Sequence, residues 1–221
     1  MKQLVVFCLS IVTFSMATVA VGKAKVSKTD AALVTSEKKT KKGKAGRVKQ
    51  APETFKATFE TTKGKFVMEA HRHWSPQGVD RFYELIQSGF FKEIAFFRVV
   101  NNFVVQFGIH GDPNVSQVWR DKRITDDVVK KSNKKGYLSF ATAGIGTRTT
   151  QLFINLKDNI NLDAMGFSPV AKVIEGMDVV ENITGEYGER PNQGKIQAEG
   201  NAYLKKSFPN LDYINSVTIT E

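Results

Sequence analysis

The chain has 221 residues, with 32 lysines and arginines against 22 aspartates and glutamates, and it contains a single cysteine. This length favours one folded domain with extensions over two full domains. One cysteine excludes an internal disulfide framework, and a mature chain without the N-terminal segment that holds Cys8 would also have no thiolate nucleophile.

Residues 1–22 have the pattern of a secretory signal peptide. Lys2 provides a basic start, an apolar stretch runs from Leu4 to Val21, and small residues close it. We therefore expect an exported protein, most naturally in the periplasm. A secreted protein and a protein anchored to the membrane by an uncleaved signal are the alternatives, because about 18 apolar residues approach the length that spans a bilayer.

Residues 23–50 are rich in lysine and hold most of the chain's net charge of +10. This segment has ten basic residues against Asp30 and Glu37, a net charge of +8, whereas residues 51–221 are close to neutral. Such a segment is predicted to be a disordered linker. We favour a solvated spacer over a basic arm that transiently contacts anionic membrane surfaces, and the upstream export signal argues against a nucleic-acid partner.

Residues 51–221 are predicted to form one mainly β domain. Phe55, Ala57 and Phe59 alternate with polar residues, which predicts a half-buried strand, and Lys63-Gly64 turns the chain into a hairpin partner at 65–70. Further strands are predicted at 95–100, 103–107, 137–141, 152–156, 170–174 and 216–220.

Two main helices are predicted among these strands. Ser75-Pro76 is typical of a helix start and Gly89 of its end, and a second helix is expected at 176–183, with a further helical piece at 198–206. The charged and poorly periodic segment 108–135 is predicted to be a long surface loop. Many short strands with two helices favour a closed antiparallel β-barrel whose open ends the helices cap.

The segment FFRVVNNFVVQFG, residues 96–108, places two polar side chains in an otherwise apolar run. Asn101 and Asn102 indicate a turn, so the segment is predicted to be a hairpin that carries Arg98 and Gln106 on facing strands. A guanidinium and an amide are costly to bury without partners, which points to a functional role.

A second segment, GYLSFATAGIGTRTTQLFINL at residues 136–156, repeats the pattern of strand, glycine-rich loop and strand and supplies Thr142, Gln151 and Phe153. Together the two segments resemble the cyclophilin family of peptidyl-prolyl isomerases. The resemblance extends over residues 54–220, and it implies the same capped barrel that the strand pattern suggests.

The resemblance assigns catalysis to Arg98, Gln106 and Phe103. Rotation about an X-Pro bond needs no nucleophile, metal or cofactor, because the barrier of about 18–20 kcal/mol arises from the double-bond character of the amide. A donor fixed near the proline nitrogen stabilises the twisted amide selectively. In the family, the arginine of the F-x-R-V motif supplies this donor, and the glutamine hydrogen-bonds the substrate or orients the arginine.

The resemblance also implies a substrate groove for proline-containing polypeptides. Its residues are Val104, Ala141, Thr142, Ala143, Gln151, Phe153, Leu162 and Phe167. Phe103, Val104, Phe153 and Leu162 match slot-forming positions of the family, and the main chain at Thr142 is expected to hold an extended substrate. Asn161 stands where animal-type members usually have a tryptophan that contacts cyclosporin, which predicts weak cyclosporin binding.

Two hypotheses for the function remain open at this point. The first is an exported peptidyl-prolyl cis-trans isomerase that assists protein folding, and the second is a non-catalytic proline-peptide binding module or chaperone recruited through the basic arm. We expect a monomer. His71 and His73 are too few to predict a metal site, since His110 is the only other histidine.

Overall fold

A computed structural model describes residues 50–220. The predicted signal peptide at 1–22, and the predicted linker at 23–50 apart from Gln50, lie outside this range. Within it, no helix has the length and apolar character needed to cross a membrane. The strands of the described residues are β1 Thr54–Thr61, β2 Gly64–His71, β3 Ile94–Ala95, β4 Arg98–Val100, β5 Val104–Phe107, β6 Tyr137–Phe140, β7 Leu152–Asn155, β8 Pro169–Glu175 and β9 Tyr213–Thr220. The α-helices are α1 Pro76–Gln87, α2 Pro113–Arg120, α3 Met177–Glu181 and α4 Gln193–Ser207.

The first two strands form the predicted hairpin. Along β1, Phe55, Ala57 and Phe59 are buried while Lys56 and Glu60 face solvent, as the alternating pattern requires. Antiparallel pairing places Thr61 opposite Gly64, so the chain turns through only two residues.

All nine strands belong to one antiparallel sheet with the order β3-β9-β1-β2-β8-β6-β7-β5-β4. Its edge strands β3 and β4 are joined by Phe96 and Phe97 alone, so their near ends lie within about 11 Å of each other and the sheet must curl. Within the described range, the two edges do not pair with each other. The described sheet is therefore a curled half-barrel rather than the predicted closed barrel, and the single strand predicted at 95–100 is divided in two.

The helices partly match the prediction of two caps. α1 and α3 lie where the two main helices were expected, and α1 packs against β8 and β9. The prediction of a loop over 108–135 was wrong in part, because Asp112 accepts a hydrogen bond from the main-chain N–H of Asn114 and starts α2 with Pro113 in its first turn. α4 is longer than the predicted helical piece and packs against α2.

A close main-chain approach fixes α4 against the segment before α2. Gly200 has a φ of 59°, and a Cβ built there would lie 1.9 Å from the carbonyl oxygen of Gly111. The same carbonyl accepts a hydrogen bond from the N–H of Asn201 at 2.8 Å. Only glycine allows both the left-handed conformation and this contact.

The core has three parts. The largest cluster fills the inside of the curled sheet under α1 and is rich in phenylalanine, with the rings of Phe59 and Phe66 stacked at 4.7 Å. A second cluster joins α4 to Phe97 and Tyr187. The third cluster is small and lies apart from the others, and it contains the residues predicted to form the proline slot.

Candidate active site

Arg98, Gln106 and Phe153 lie in one row across three neighbouring strands. In the antiparallel register Arg98 of β4 faces Gln106 of β5, and Gln106 faces Phe153 of β7. Directly paired residues share a face of the sheet. Their neighbours along the strands, Val105 and Ile154, are fully buried in the main core. The row therefore lies on the opposite face, outside the core.

The guanidinium of Arg98 is held by two partners. Its Nη1 donates to the side-chain oxygen of Gln106 at 3.1 Å, and its Nε donates to Oε1 of Glu189 at 2.7 Å. The same carboxylate oxygen lies 2.6 Å from Nη2. The Cζ of Arg98 also lies 5.9 Å from the centre of the Phe103 ring. These contacts fix the cation while leaving N–H donors on Nη1 and Nη2 for a further acceptor.

Gln106 is oriented by a second amide. Its Nε2 donates to the side-chain oxygen of Gln151 at 2.9 Å, which leaves its own oxygen directed at Arg98. Gln106 is only 7% exposed. A buried amide with both groups engaged holds one orientation, so the pair Gln151 and Gln106 sets the position of the guanidinium.

An apolar slot lies next to this row. Val104, Phe153, Leu162 and Phe167 are buried together, and Phe103 and Ala141 pack against them while remaining partly exposed. The rings of Phe153 and Phe167 meet edge to face at 5.5 Å. The structure thus brings Phe103, Val104, Phe153, Leu162 and Phe167 into one cluster, the arrangement that the sequence analysis predicted for a proline ring.

The segment Ala141–Ala143 leaves the end of β6 beside the slot. The N–H of Ala141 donates to the carbonyl of Gln151 at 2.9 Å, and the N–H of Ala143 donates to Oγ1 of Thr147 at 2.9 Å. These two donors are therefore occupied within the turn. The main chain of Thr142 makes no hydrogen bond to another described main-chain group.

Residues 56–200, well over half of the chain, match the family model for cyclophilin type peptidyl-prolyl cis-trans isomerase/CLD. The chain belongs to the cyclophilin family. The activity of this cyclophilin is accordingly that of a peptidyl-prolyl cis-trans isomerase.

Individual relatives cover the cyclophilin domain well. Peptidyl-prolyl cis-trans isomerase B of Escherichia coli (strain K12) is 30% identical over 174 residues, which is 74% of this chain and 99% of that protein. A cyclophilin type isomerase of Cryptosporidium parvum has 19% identity and a TM-score of 0.58 over 76% of this chain and 98% of its own. Its structure in the presence of the dipeptide Ala-Pro has 20% identity and a TM-score of 0.57, with coverages of 75% and 99%. At these identities the structural likeness shows the fold.

Glu189 contacts Arg98 in the candidate site, and the sequence did not predict this contact. It lies 91 positions from Arg98 on an exposed turn, so no local pattern connects the two. The turn is anchored by Tyr187, which is buried against Phe97, and by the carbonyl of Gly188, which accepts from the N–H of Val99 at 3.3 Å. A shallow cavity of about 450 Å³ borders Glu189 between this turn and β4, and no slot residue lines it.

A buried network of amides beneath the slot was also missed. Asn133, Asn155 and Asn159 are almost wholly buried. Asn159 Nδ2 donates to the carbonyl of Phe103 at 2.9 Å, and Asn133 Nδ2 donates to the carbonyl of Phe167 at 2.8 Å. The network therefore holds the main chain on both sides of the slot, which fixes the distance between its walls.

Asp163 closes this network. Burial alone would raise the pKa of Asp163, but hydrogen bonds from Ser132 and from the side chain and main chain of Asn133 outweigh burial and lower the pKa below its ordinary value. The carboxylate thus stays ionised and clamps the loop that carries Leu162. Among residues 50–220, no three histidine, cysteine, aspartate or glutamate side chains group in a way that could hold a metal ion.

Proposed function

We propose that this cyclophilin rotates X-Pro bonds at Arg98 and does so on exported polypeptides. The catalytic role of Arg98 is supported by one observation. Gln106 and Glu189 fix its guanidinium next to an apolar slot, and N–H groups on Nη1 and Nη2 remain available to a substrate. Proline-containing polypeptides are the substrates we propose, which agrees with the related structure determined in the presence of Ala-Pro.

In this mechanism the slot holds the proline ring while the preceding residue turns. As the amide twists, resonance is lost and the proline nitrogen gains a lone pair that accepts a hydrogen bond better than in either planar state. The donors of Arg98 meet that lone pair only midway through the rotation, so they stabilise the transition state more than the ground states. Arginine suits this role because its charge is permanent and its donors are planar and directional.

The remaining residues position the substrate. Phe103, Val104, Phe153, Leu162 and Phe167 exclude water from the ring, and Ala141 lies at the mouth of their cluster. The main-chain groups of Thr142 are proposed to pair with the extended chain before the proline. Ala143 contributes the turn itself rather than a free N–H, because Thr147 already accepts from it.

An isomerisation assay on the full chain tests the catalytic part. Exchange between cis and trans Ala-Pro in a short peptide, followed by NMR, should become faster in proportion to enzyme concentration. Absence of any acceleration would contradict the proposal.

The exported location is proposed from residues 1–22 and 23–50, which lie outside the described range. The signal pattern supports export to the periplasm, the lysine-rich linker would act as a spacer or touch anionic membrane surfaces transiently, and we propose a monomer. Cell fractionation with mass spectrometry of the purified protein tests this. A soluble protein that begins near residue 23 is expected, whereas a membrane-bound chain that keeps residues 1–22 would favour the anchored alternative.

A further inference from the structure

Several segments that carry or hydrogen-bond the proline slot also carry large apolar side chains exposed to solvent. Five such side chains are exposed within the described range: Val118, Val128, Ile145, Ile160 and Met165. Single exposed apolar residues are ordinary and call for no explanation. Val128, Ile145, Ile160 and Met165, however, lie on segments that contain slot residues or form hydrogen bonds with the segments that do. Of the five, only Val118 does not.

Ile145 is held at the tip of an ordered turn beside the slot. Its side chain is 97% exposed, and the turn begins at Ala141, a slot residue. The hydroxyl groups of Thr142 and Thr147 lie 2.8 Å apart across the turn, and the N–H of Gly146 donates to Asp126 at 2.7 Å. The turn is therefore built to present Ile145 outward.

Ile160 and Met165 lie two and three positions from the slot residue Leu162 along the chain. Ile160 opens the short 3-10 helix Ile160–Leu162, and the N–H of Met165 donates to the carbonyl of Leu162 at 3.1 Å. The carboxylate of Asp163, bound by Asn133, fixes the loop between them. Ile160 and Met165 are 63% and 49% exposed although both neighbour a residue that is 1% exposed.

Val128 is linked to the slot segment through its main chain. Its carbonyl accepts a hydrogen bond from Oγ of Ser168 at 3.2 Å, and Ser168 directly follows the slot residue Phe167. The side chain of Val128 is 77% exposed.

We propose that Val128, Ile145, Ile160 and Met165 form an apolar rim that binds large apolar side chains on either side of the substrate proline. This inference rests on the proposed function, because it assumes that the slot receives the proline ring. The occupant is an extended, unfolded segment in which apolar residues flank the X-Pro pair. Such sequences belong to the cores of folded proteins, so the rim selects chains that have not yet folded. Each side chain that the rim covers should strengthen binding by about three- to tenfold.

Two peptides of equal length test the rim. One carries leucine on both sides of Ala-Pro, and the other carries serine at those positions. The full chain should show a kcat/KM about ten- to a hundredfold higher for the leucine peptide, which has two such side chains, measured by NMR exchange. The triple variant Ile145→Ser, Ile160→Ser, Met165→Ser should lose most of this preference, and the single variants should lose part of it.

Val118→Ser is the matched control, because Val118 is 61% exposed but lies on α2, which packs against α4. It should keep the preference unchanged. A wild-type enzyme without any preference, or a triple variant that retains it, would overturn the inference.

Peptide affinity measured by titration calorimetry separates this failure from failure of the proposed function. If neither peptide is isomerised, the catalytic proposal fails. Tighter binding of the leucine peptide by the wild type, together with loss of this difference in the triple variant, would still support the rim. Equal affinities would then overturn the rim as well. The circular dichroism spectrum of each variant should match that of the wild type, since all substituted side chains are exposed.

Discussion

The carboxylate of Glu189 is bonded to Arg98 across 91 positions of sequence, with Oε1 at 2.7 Å from Nε and 2.6 Å from Nη2. The pair is partly open to solvent, since the side chain of Glu189 is 63% exposed and that of Arg98 is 19% exposed. Glu189 is thus a candidate positioning residue that holds the arginine from the side opposite Gln106.

Glu189→Ala should lower kcat by about two- to fivefold with little change in KM, because an exposed ion pair contributes up to about 1 kcal/mol. Glu189→Gln should retain more activity, since it keeps a hydrogen-bond acceptor. Glu186→Ala is the control on the same turn, where the carboxylate contacts Asn210 instead of Arg98. Steady-state kinetics that show an unchanged or raised kcat in Glu189→Ala would contradict a positioning role.

Asp127 stabilises the start of α1 from a distant segment. It accepts hydrogen bonds from the hydroxyl of Ser75 at 2.6 Å and from the N–H groups of Gln77 and Gly78, and it pairs with Arg148 at 3.0 Å. Burial alone would raise the pKa of Asp127, but these hydrogen bonds outweigh burial and lower it. A lowered folded-state pKa means that the carboxylate stabilises the fold above its unfolded-state pKa of about 3.9 and that this contribution is lost as pH falls through the folded-state pKa.

Asp127→Asn should therefore reduce the free energy of unfolding at pH 7 by roughly 3 kcal/mol, because it breaks a buried ion pair. The difference from wild type should shrink as the pH is lowered below about 4. Urea denaturation at several pH values measures both effects. Asp121→Asn, an exposed position at the end of α2, should change stability by less than about 0.5 kcal/mol at any pH. A pH-independent loss in Asp127→Asn would contradict the assigned role of the charge.

The hairpin at residues 96–108 could be predicted because its two polar residues interrupt an apolar run. The register then followed from the turn, and Arg98 does face Gln106. The break between β3 and β4 could not be predicted in the same way. Phe96 and Phe97 are both buried, so nothing in their pattern distinguishes a continuous strand from a crossing between the sheet edges.

Residues whose polar partners lie far away in sequence could not be assigned a role from local patterns. Ser75 was expected to cap α1, and it does precede the helix, but it makes no cap hydrogen bond itself and donates instead to Asp127, 52 positions away. Asn133 lies in the segment 108–135 that was predicted to be a surface loop, yet it is fully buried. Local composition is polar in both cases, and only the folded chain shows that the polar groups pair with each other.

The slot residues could be predicted only together, from the match of all their positions to the cyclophilin family. Val104, Phe153, Leu162 and Phe167 are individually typical of any core, and their separation from the main core depends on the face of the sheet that they occupy. The pair Asp112-Pro113 is typical of a helix start. α2 was not predicted, because the residues around this pair are charged and weakly periodic.

Cyclosporin binding tests the edge of the slot. Asn161 is exposed and directly precedes the slot residue Leu162. The wild-type protein should bind cyclosporin weakly, and Asn161→Trp should bind it at least about tenfold more tightly, because an indole adds a large apolar surface there. Lys157→Trp, an exposed position before the 3-10 helix, is the control and should have no effect. Nanomolar affinity of the wild-type protein in titration calorimetry would contradict this prediction.

The most direct test of the account is Arg98→Ala, assayed for isomerisation and for peptide affinity in the same preparation. Removing a donor that acts in the transition state should lower kcat by about 10²- to 10³-fold, while the Kd for an Ala-Pro peptide should change by less than about threefold, because the slot is intact. Arg120→Ala, at an exposed position at the end of α2, should leave both values unchanged. Parallel losses of affinity and activity in Arg98→Ala would instead favour a binding module, and unchanged activity would contradict the assignment of Arg98 as the catalytic residue.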